Sequence, residues 1–504
     1  MTCRQEAPAI ARVIERFATH GLEVVCVGAF ETAESCEAWK AQHGLRCPVV
    51  SDLDGTLFRA LTNGWVPCNI LVGRDGAVLF SENEFDEAGY TKAIAGLYEE
   101  PAASPTAREA SEKPIPRGGS SSTATVVILG GGVGGLVAAH HLRRRLQRQH
   151  RVILIDRSPD HLFAPSLLWR MVGQRRDDQI TRPLQRQAGK GIEFHQGEIE
   201  EIDLEGRQVR TRSTAFSFDY LIVSLGAQLA PETVEGFNSA ARNLYDLEGS
   251  RRIHADLEAF TGGTIGVFIP SMPFKCPAAP YEAAFLVEAF CRKRGIRGRT
   301  EIHLFTPEHQ PMPVAGPAVG DAIVEMLHAR GIHYHPLFTF EKLRADTKEI
   351  VASDGTAAHA DILLGVPPHR APEVVRSAGL LGVSGWIHVD PRTLRTEREG
   401  VFAIGDVTSI RLPNGKMLPK AGVFARAEAE VVADQIASDI DGTPSHASFD
   451  GKGNCWIELG DGQAAFARGR FYAEPDPQMR MYKPGRLWHW GKIGFEQWWL
   501  HHWF

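Results

Sequence analysis

The chain has 504 residues, 43% hydrophobic and 23% charged, with 50 glycines and 30 prolines. This is globular composition spread over more than one hydrophobic core, and it excludes a disordered or fibrous protein. A net charge of −6 gives no general pull toward nucleic acid, and eight scattered cysteines exclude a disulfide-stapled secreted scaffold. The opening residues MTCRQEAPAIARVIER lack a signal-peptide apolar core, no run of about 18 apolar residues is present to span a bilayer, and no Cys/His cluster suggests a metal.

Residues 1–100 alternate helices and strands. Ile10, Val13, Ile14 and Phe17 have helical spacing, and Gly21 ends that helix. LEVVCVGAF (22–30) is a buried strand, ETAESCEAWKAQHG a helix and CPVVSD a short strand. CNILVGRDGAVLFS is a hairpin turning at Asp75-Gly76, and EFDEAGYTKAIAGLYEE a closing helix. This order resembles the thioredoxin fold of the thiol-disulfide reductase and peroxiredoxin-like group without its first strand. Cys3-Arg4-x-Glu6-x-Pro8 resembles the second half of that group's CxxCRxExP segment. Val66-Pro67 resembles its cis-proline position, with Cys68 following. The resemblance implies that the attacking thiol is missing and only the resolving Cys3 remains. The module is therefore expected to be redox-silent, unless Cys68 substitutes or the start is mis-called.

PAASPTAREASEKPIPRGGSSST (101–123) is rich in Pro, Ala and Ser without apolar periodicity, and reads as a linker. The expected domains are then 1–100, thioredoxin-like; 124–242 and 366–440, two parts of one dinucleotide-binding domain; 243–365, an inserted second one; and 441–504, a C-terminal region.

From residue 123 the sequence TATVVILGGGVGGLVAAHHLRRRLQRQHRVILID reads as strand, Gly-rich turn, helix, and a second strand ending in an acid. Gly130 permits the tight turn, Gly132 lets backbone approach a pyrophosphate, and Gly135 lets the helix pack on the strand, with Val133 and Gly134 between them. Asp156, followed by Arg157, is placed for ribose hydroxyls. FDYLIVSLGAQ (218–228), which includes Ala227, and TEREGVFAIGDVT (396–408), with Gly405 and Asp406, add two further segments. Together they resemble the FAD-dependent pyridine nucleotide-disulfide reductase superfamily from 124 to about 440. The resemblance implies bound FAD, with Asp406 on the ribityl chain. The expected fold class is α/β: a thioredoxin-like fold, two Rossmann-type three-layer domains and a C-terminal segment. The superfamily's second nucleotide turn falls at GGTIGVFIP (262–270) and beyond. There Pro270, Pro273, Pro277 and Pro280 replace its glycines and argue against a nicotinamide donor.

Cys276 follows Lys275 just ahead of a helix, where both neighbours are expected to favour a thiolate. PFKCPAAPYE resembles the first redox-cysteine segment of the sulfide:quinone oxidoreductase and flavocytochrome c sulfide dehydrogenase families. HLFAPSLLWRMVGQRRDDQI (161–180), LPKAGVFARAEAEVVADQI (418–436) and FDGKGNCWIELGDGQAAFARGRFYAEPDP (449–477) resemble three more of their segments, the last assigning Cys455. The resemblance implies that sulfide attacks a disulfide or trisulfide of Cys276 and Cys455, that the electron pair passes to the flavin, and that quinone accepts it. The bland reading is two core cysteines, as for Cys26, Cys47 and Cys291. Glu282 is either a local base or a solvated helix-face residue. Lys420 is either a cation at the flavin pyrimidine edge or a surface lysine.

WHWGKIGFEQWWLHHWF (488–504) holds Trp488, Trp490, Trp498, Trp499 and Trp503, and is expected either at the inner face of the cytoplasmic membrane or in a subunit contact of a homo-oligomer. The leading reading is thus a cytoplasmic FAD enzyme oxidising sulfide or a related persulfide-type compound, with quinone as acceptor. A type II NADH:quinone dehydrogenase-like or other NAD(P)H-dependent enzyme, and a non-catalytic flavin-bearing docking protein, are the alternatives.

Overall fold

The structure is a computed structural model that describes residues 3–17, 24–29, 31–52, 69–72, 78–82, 91, 94 and 123–504. The chain forms two compact units, 1–118 and 119–504.

In the first unit, α1 (Cys3–Phe17) buries Val13 and Phe17. β1 (Cys26–Ala29) pairs in parallel with β2 (Val49–Asp52). Between them α2 (Ala33–His43) is capped by Thr32, whose hydroxyl accepts the Ser35 N–H at 3.2 Å, and is ended by Gly44 at φ 63°. β3 (Asn69–Val72) and β4 (Val78–Glu82) form the antiparallel hairpin the sequence implies. The Cys3 side chain, Val66, Pro67, Cys68, the Asp75-Gly76 turn, residues 101–122 and most of the closing helix lie outside the described residues.

In the second unit, β5 (Thr125–Leu129), α3 (Val133–Arg145), β6 (Arg151–Asp156), β7 (Glu193–Gln196) and β8 (Tyr220–Val223) begin the first Rossmann-type domain. Val126–Leu129 and Leu221–Val223 are buried on both faces, as continuous apolar runs in a parallel sheet must be. An inserted domain follows, with β9 (Ala241–Asn243), β10 (Gly263–Phe268), α4 (Ala279–Lys293), β11 (Thr300–Phe305), β12 (His333–His335) and β13 (Ile362–Gly365). Its parallel sheet has the order β9-β13-β10-β11-β12. The chain then returns through β14 (Val401–Ala403) and α5 (Gly422–Asp441), completing the first sheet as β14-β8-β5-β6-β7.

A three-stranded antiparallel sheet of β15 (Lys452–Gly460), β16 (Gln463–Arg470) and β17 (Gln478–Gly485) ends in helix α6 (Arg486–His502). α6 lies on its own chain. Trp499 and Trp503 are buried in the core of the first domain, and Trp488 stacks on Phe466 with centroids 4.6 Å apart. Trp499 and Trp503 therefore belong to neither a membrane nor a subunit contact, because the fold itself covers them, while Trp488 is half-buried. Leu487, Trp490 and Trp498 remain on the outer face, 75%, 66% and 39% exposed. Among the described residues no helix is long and apolar enough to cross a membrane.

Candidate active site

The Gly-rich turn lies between β5 and α3. Gly130 has φ 99°, and a Cβ there would strike the Ser224 carbonyl. A Cβ on Gly135 would strike the Gly130 carbonyl, so the start of α3 can close on β5 only with glycine there. A Cβ added at Gly132 would meet nothing within 4 Å and the residue is exposed, which leaves its backbone accessible to a ligand. Gly134 abuts Ser224 and Ile404, and Val133 abuts Gly422 at the start of α5. The Asp156 carboxylate accepts the N–H of Gly131 at 2.5 Å and that of Ser158 at 2.7 Å. The carbonyl of the same Gly131 accepts from Nδ1 of buried His161 at 2.8 Å, while Nε2 of His161 accepts from Trp499 at 3.0 Å. Burial lowers His161 to about 4, so the ring is neutral and that tautomer is fixed. Arg157 instead turns outward to Glu198 at 3.8 Å, and Ala227 is half-buried after β8.

The Gly405-Asp406 loop leaves the end of β14. Gly405 donates its N–H to Glu428 of α5 at 2.6 Å. Oδ1 of Asp406 is buried and has no hydrogen-bond partner in the chain, an orphan that a ribityl hydroxyl fits. Burial raises Asp406, with Lys275 and Lys420 opposing it. Lys420 is not a surface residue. Its ammonium donates to the carbonyls of Asp406 (2.8 Å) and Thr408 (2.9 Å) and lies 3.4 Å from the Trp386 ring centroid. Burial lowers it to about 7, against Asp406 and Glu428. A free turn at Gly132, two glycines that no Cβ could replace and an unpaired buried carboxylate oxygen fit FAD.

The segment 269–278 separates β10 from α4 where a second nucleotide turn would lie, and it carries Cys276 at φ 49°. The Cys276 N–H donates to the Lys420 carbonyl at 2.7 Å, joining the cysteine loop to the Gly-Asp loop. Cys455 on β15 packs with Cys276 against one hydrophobic cluster, and both cysteines are free. The thiols do not lean toward thiolate as Lys275 and the helix end suggested. Burial, reinforced by Glu282, pushes Cys276 up to about 12. Burial and the neighbouring Cys276 push Cys455 well up. The Ala279 N–H does favour the Cys276 anion, but the cation that acts on it is Lys492, while Lys275 acts on Asp406.

Glu282 is not solvated. It is 3% exposed and accepts from Lys492 at 2.8 Å and from the Glu458 N–H at 2.9 Å. Lys492, Glu458 and His489 escape sequence reasoning because they come from β15 and α6. The readable signal is Lys492 and Glu496 on the stripe shared with Trp499 and Trp503, charges at helical spacing on an apolar face. Cys291 and Cys47 are buried, the latter with its sulfur 3.5 Å from that of Cys26.

Two dinucleotide-type domains, one with a flavin-fitting turn and the other with a cysteine loop in place of its glycines, define an FAD-dependent oxidoreductase. Residues 124–429 match the pyridine nucleotide-disulphide oxidoreductase family model, and the chain belongs to that family; residues 1–81 match the AhpC/TSA family. The chain is 26% identical over 343 residues to the mitochondrial sulfide:quinone oxidoreductase of Mus musculus, covering 64% of this chain and 73% of that protein. It is 23% identical over 352 residues to a type II NADH:quinone oxidoreductase of Haemophilus influenzae, covering 59% and 76%. The solved sulfide:quinone oxidoreductase of Aquifex aeolicus superposes with a TM-score of 0.69 at 25% identity, over 75% of this chain and 91% of that one.

Proposed function

We propose that the protein oxidises sulfide, or a related persulfide-type sulfur compound, at Cys276 and Cys455 and delivers the electrons to a quinone. The observation that supports this reading is that two free cysteines from separate segments pack against one cluster, with Cys276 hydrogen-bonded to Lys420 next to the Gly-Asp loop. Gly130, Gly132, Val133, Gly134, Gly135, Asp156, Ala227, Gly405, Asp406 and Lys420 would hold FAD; the outward side chain of Arg157 leaves it at most a backbone role. When bound, FAD takes an electron pair from the sulfur site and hands it to the acceptor. The chain's part is to hold two sulfurs together in a largely apolar enclosure, with Glu282 and Lys492 as the charged groups facing them. The outer face of α6, with Leu487, Trp490 and Trp498, is the surface suited to a membrane interface, where a quinone is available.

The NADH-dependent alternative rests on the likeness to the type II enzyme, and the prolines and the cysteine loop after β10 weigh against it. Cys276→Ser and Cys455→Ser should each lose nearly all sulfide-dependent quinone reduction while keeping FAD. The double variant should be no worse than either single, since the two sulfurs act as one unit. Near wild-type turnover in either single variant removes that residue from the mechanism.

A further inference from the structure

We propose that α6 supplies both the cation and the proton path of the cysteine pair: Lys492, between Glu282 and Glu458, stabilises the sulfur anions, and Glu458 and His489 lead the released proton to the surface. This deepens the reading of the pair as a sulfide-oxidising centre and rests on it.

Lys492 is 6% exposed, and its Nζ donates to Glu282. Oε2 of the fully buried Glu458 lies 2.9 Å from Nδ1 of His489, and its Oε1 has no hydrogen-bond partner. His489, one turn before Lys492, has the most exposed side chain of the four, at 16%. The titratable groups around Lys492 are Glu282 from α4, Glu458 and Cys455 from β15, Cys276 from the loop before α4, and His489 and Glu496 on its own helix. The Trp169 ring lies 5.0 Å from its ammonium. Glu496 is already matched by Arg175 at 2.8 Å and by the Ser166 hydroxyl. That leaves two carboxylates against one ammonium, so the cluster has room for one more proton. Burial opposes a charge on Lys492, but Glu282 and Glu458 outweigh it and hold the lysine protonated.

The chemistry releases that proton. HS⁻ attacks one sulfur of the bridged pair; a bond forms between them, the S–S bond breaks, and the other cysteine leaves as thiolate. Closure of this thiolate on the persulfide to a trisulfide would release the persulfide proton and two electrons, for which bound FAD would be the acceptor. Each sulfide therefore discharges one proton into an enclosure where Glu282, Lys492, Glu458 and His489 form a polar file.

The test uses the full-length FAD-loaded protein in two states. With both cysteines reduced, the pH dependence of iodoacetamide alkylation at each cysteine is read by mass spectrometry; with the pair bridged, flavin reduction by sulfide is followed in stopped flow. Lys492→Met should slow alkylation of both thiols about tenfold at about pH 9, and Lys492→Arg should restore most of it. His489→Asn should leave alkylation within about twofold but slow flavin reduction about tenfold, with recovery on adding imidazole. If Lys492→Met does not fold, Glu282→Gln/Lys492→Met is compared with Glu282→Gln, and the double variant should alkylate more slowly. Equal alkylation in these comparisons overturns the cation assignment, and a wild-type reduction rate in His489→Asn overturns the path. A wild-type flavin that sulfide does not reduce would instead sink the sulfide reading, with the alkylation result standing apart from it.

Discussion

A side chain at Gly130 or Gly135 would collide with backbone, whereas one at Gly132 would project into open space. Gly132→Val should therefore leave the fold intact by circular dichroism and give a colourless protein, because the added carbons occupy the path of the pyrophosphate. Stoichiometric FAD in that variant would contradict the assignment of the turn. At the Gly-Asp loop, burial, together with Asp406, raises Glu428 from 4.5 to about 7, against the Gly405 N–H and Lys420. The folded state then binds a proton that the unfolded chain has released. The stability this provides is complete below about 4.5 and is lost as pH rises through about 7. Relative to Glu428→Gln, the wild type should lose up to ~3 kcal/mol between those limits in denaturant titrations. Parallel pH profiles for the two proteins would contradict it.

Helix α6 is the element in which one sequence pattern serves two purposes. Its inner stripe places Lys492 on Glu282 and Trp499 on His161, which in turn holds the Gly131 carbonyl. Deleting 488–504 should therefore not be a selective loss of membrane contact. It removes two fully buried tryptophans, each worth ~3–5 kcal/mol as a truncation to alanine, and should yield insoluble or flavin-free protein. The outer face is separable. Leu487→Ser/Trp490→Ser/Trp498→Ser should keep FAD and flavin reduction by sulfide while weakening liposome flotation, and undiminished flotation would remove the face from any membrane role. The sequence shows this helix as a cluster of tryptophans, but it does not show which side meets the protein, because that depends on contacts with residues more than 300 positions away.

At the scale of the molecule, the first Rossmann-type domain was legible because its signals are local. The Gly130–Gly135 turn, the acid ending β6 and the Gly405-Asp406 loop each sit within a few residues of their strands. That a second sheet is inserted between β8 and β14 could be expected from the spacing of their segments, but its strand order could not. The electrostatics of the cysteine site were not legible. Lys275 adjoins Cys276 in sequence, yet the loop directs its influence to Asp406, while Lys492 acts on Cys276 from 216 positions away. The N-terminal unit, with its AhpC/TSA match, has the Cys3 side chain and Cys68, its suggested redox groups, outside what the structure describes.

The central claim, that electrons enter from a sulfur compound at the cysteine loop and not from a nicotinamide at a second nucleotide turn, is tested most directly by anaerobic titration of the purified flavoprotein with sulfide and, separately, with NADH, following the flavin absorbance. Sulfide should bleach the flavin within seconds, and NADH should do so far more slowly. Rapid bleaching by NADH with no response to sulfide would contradict the account.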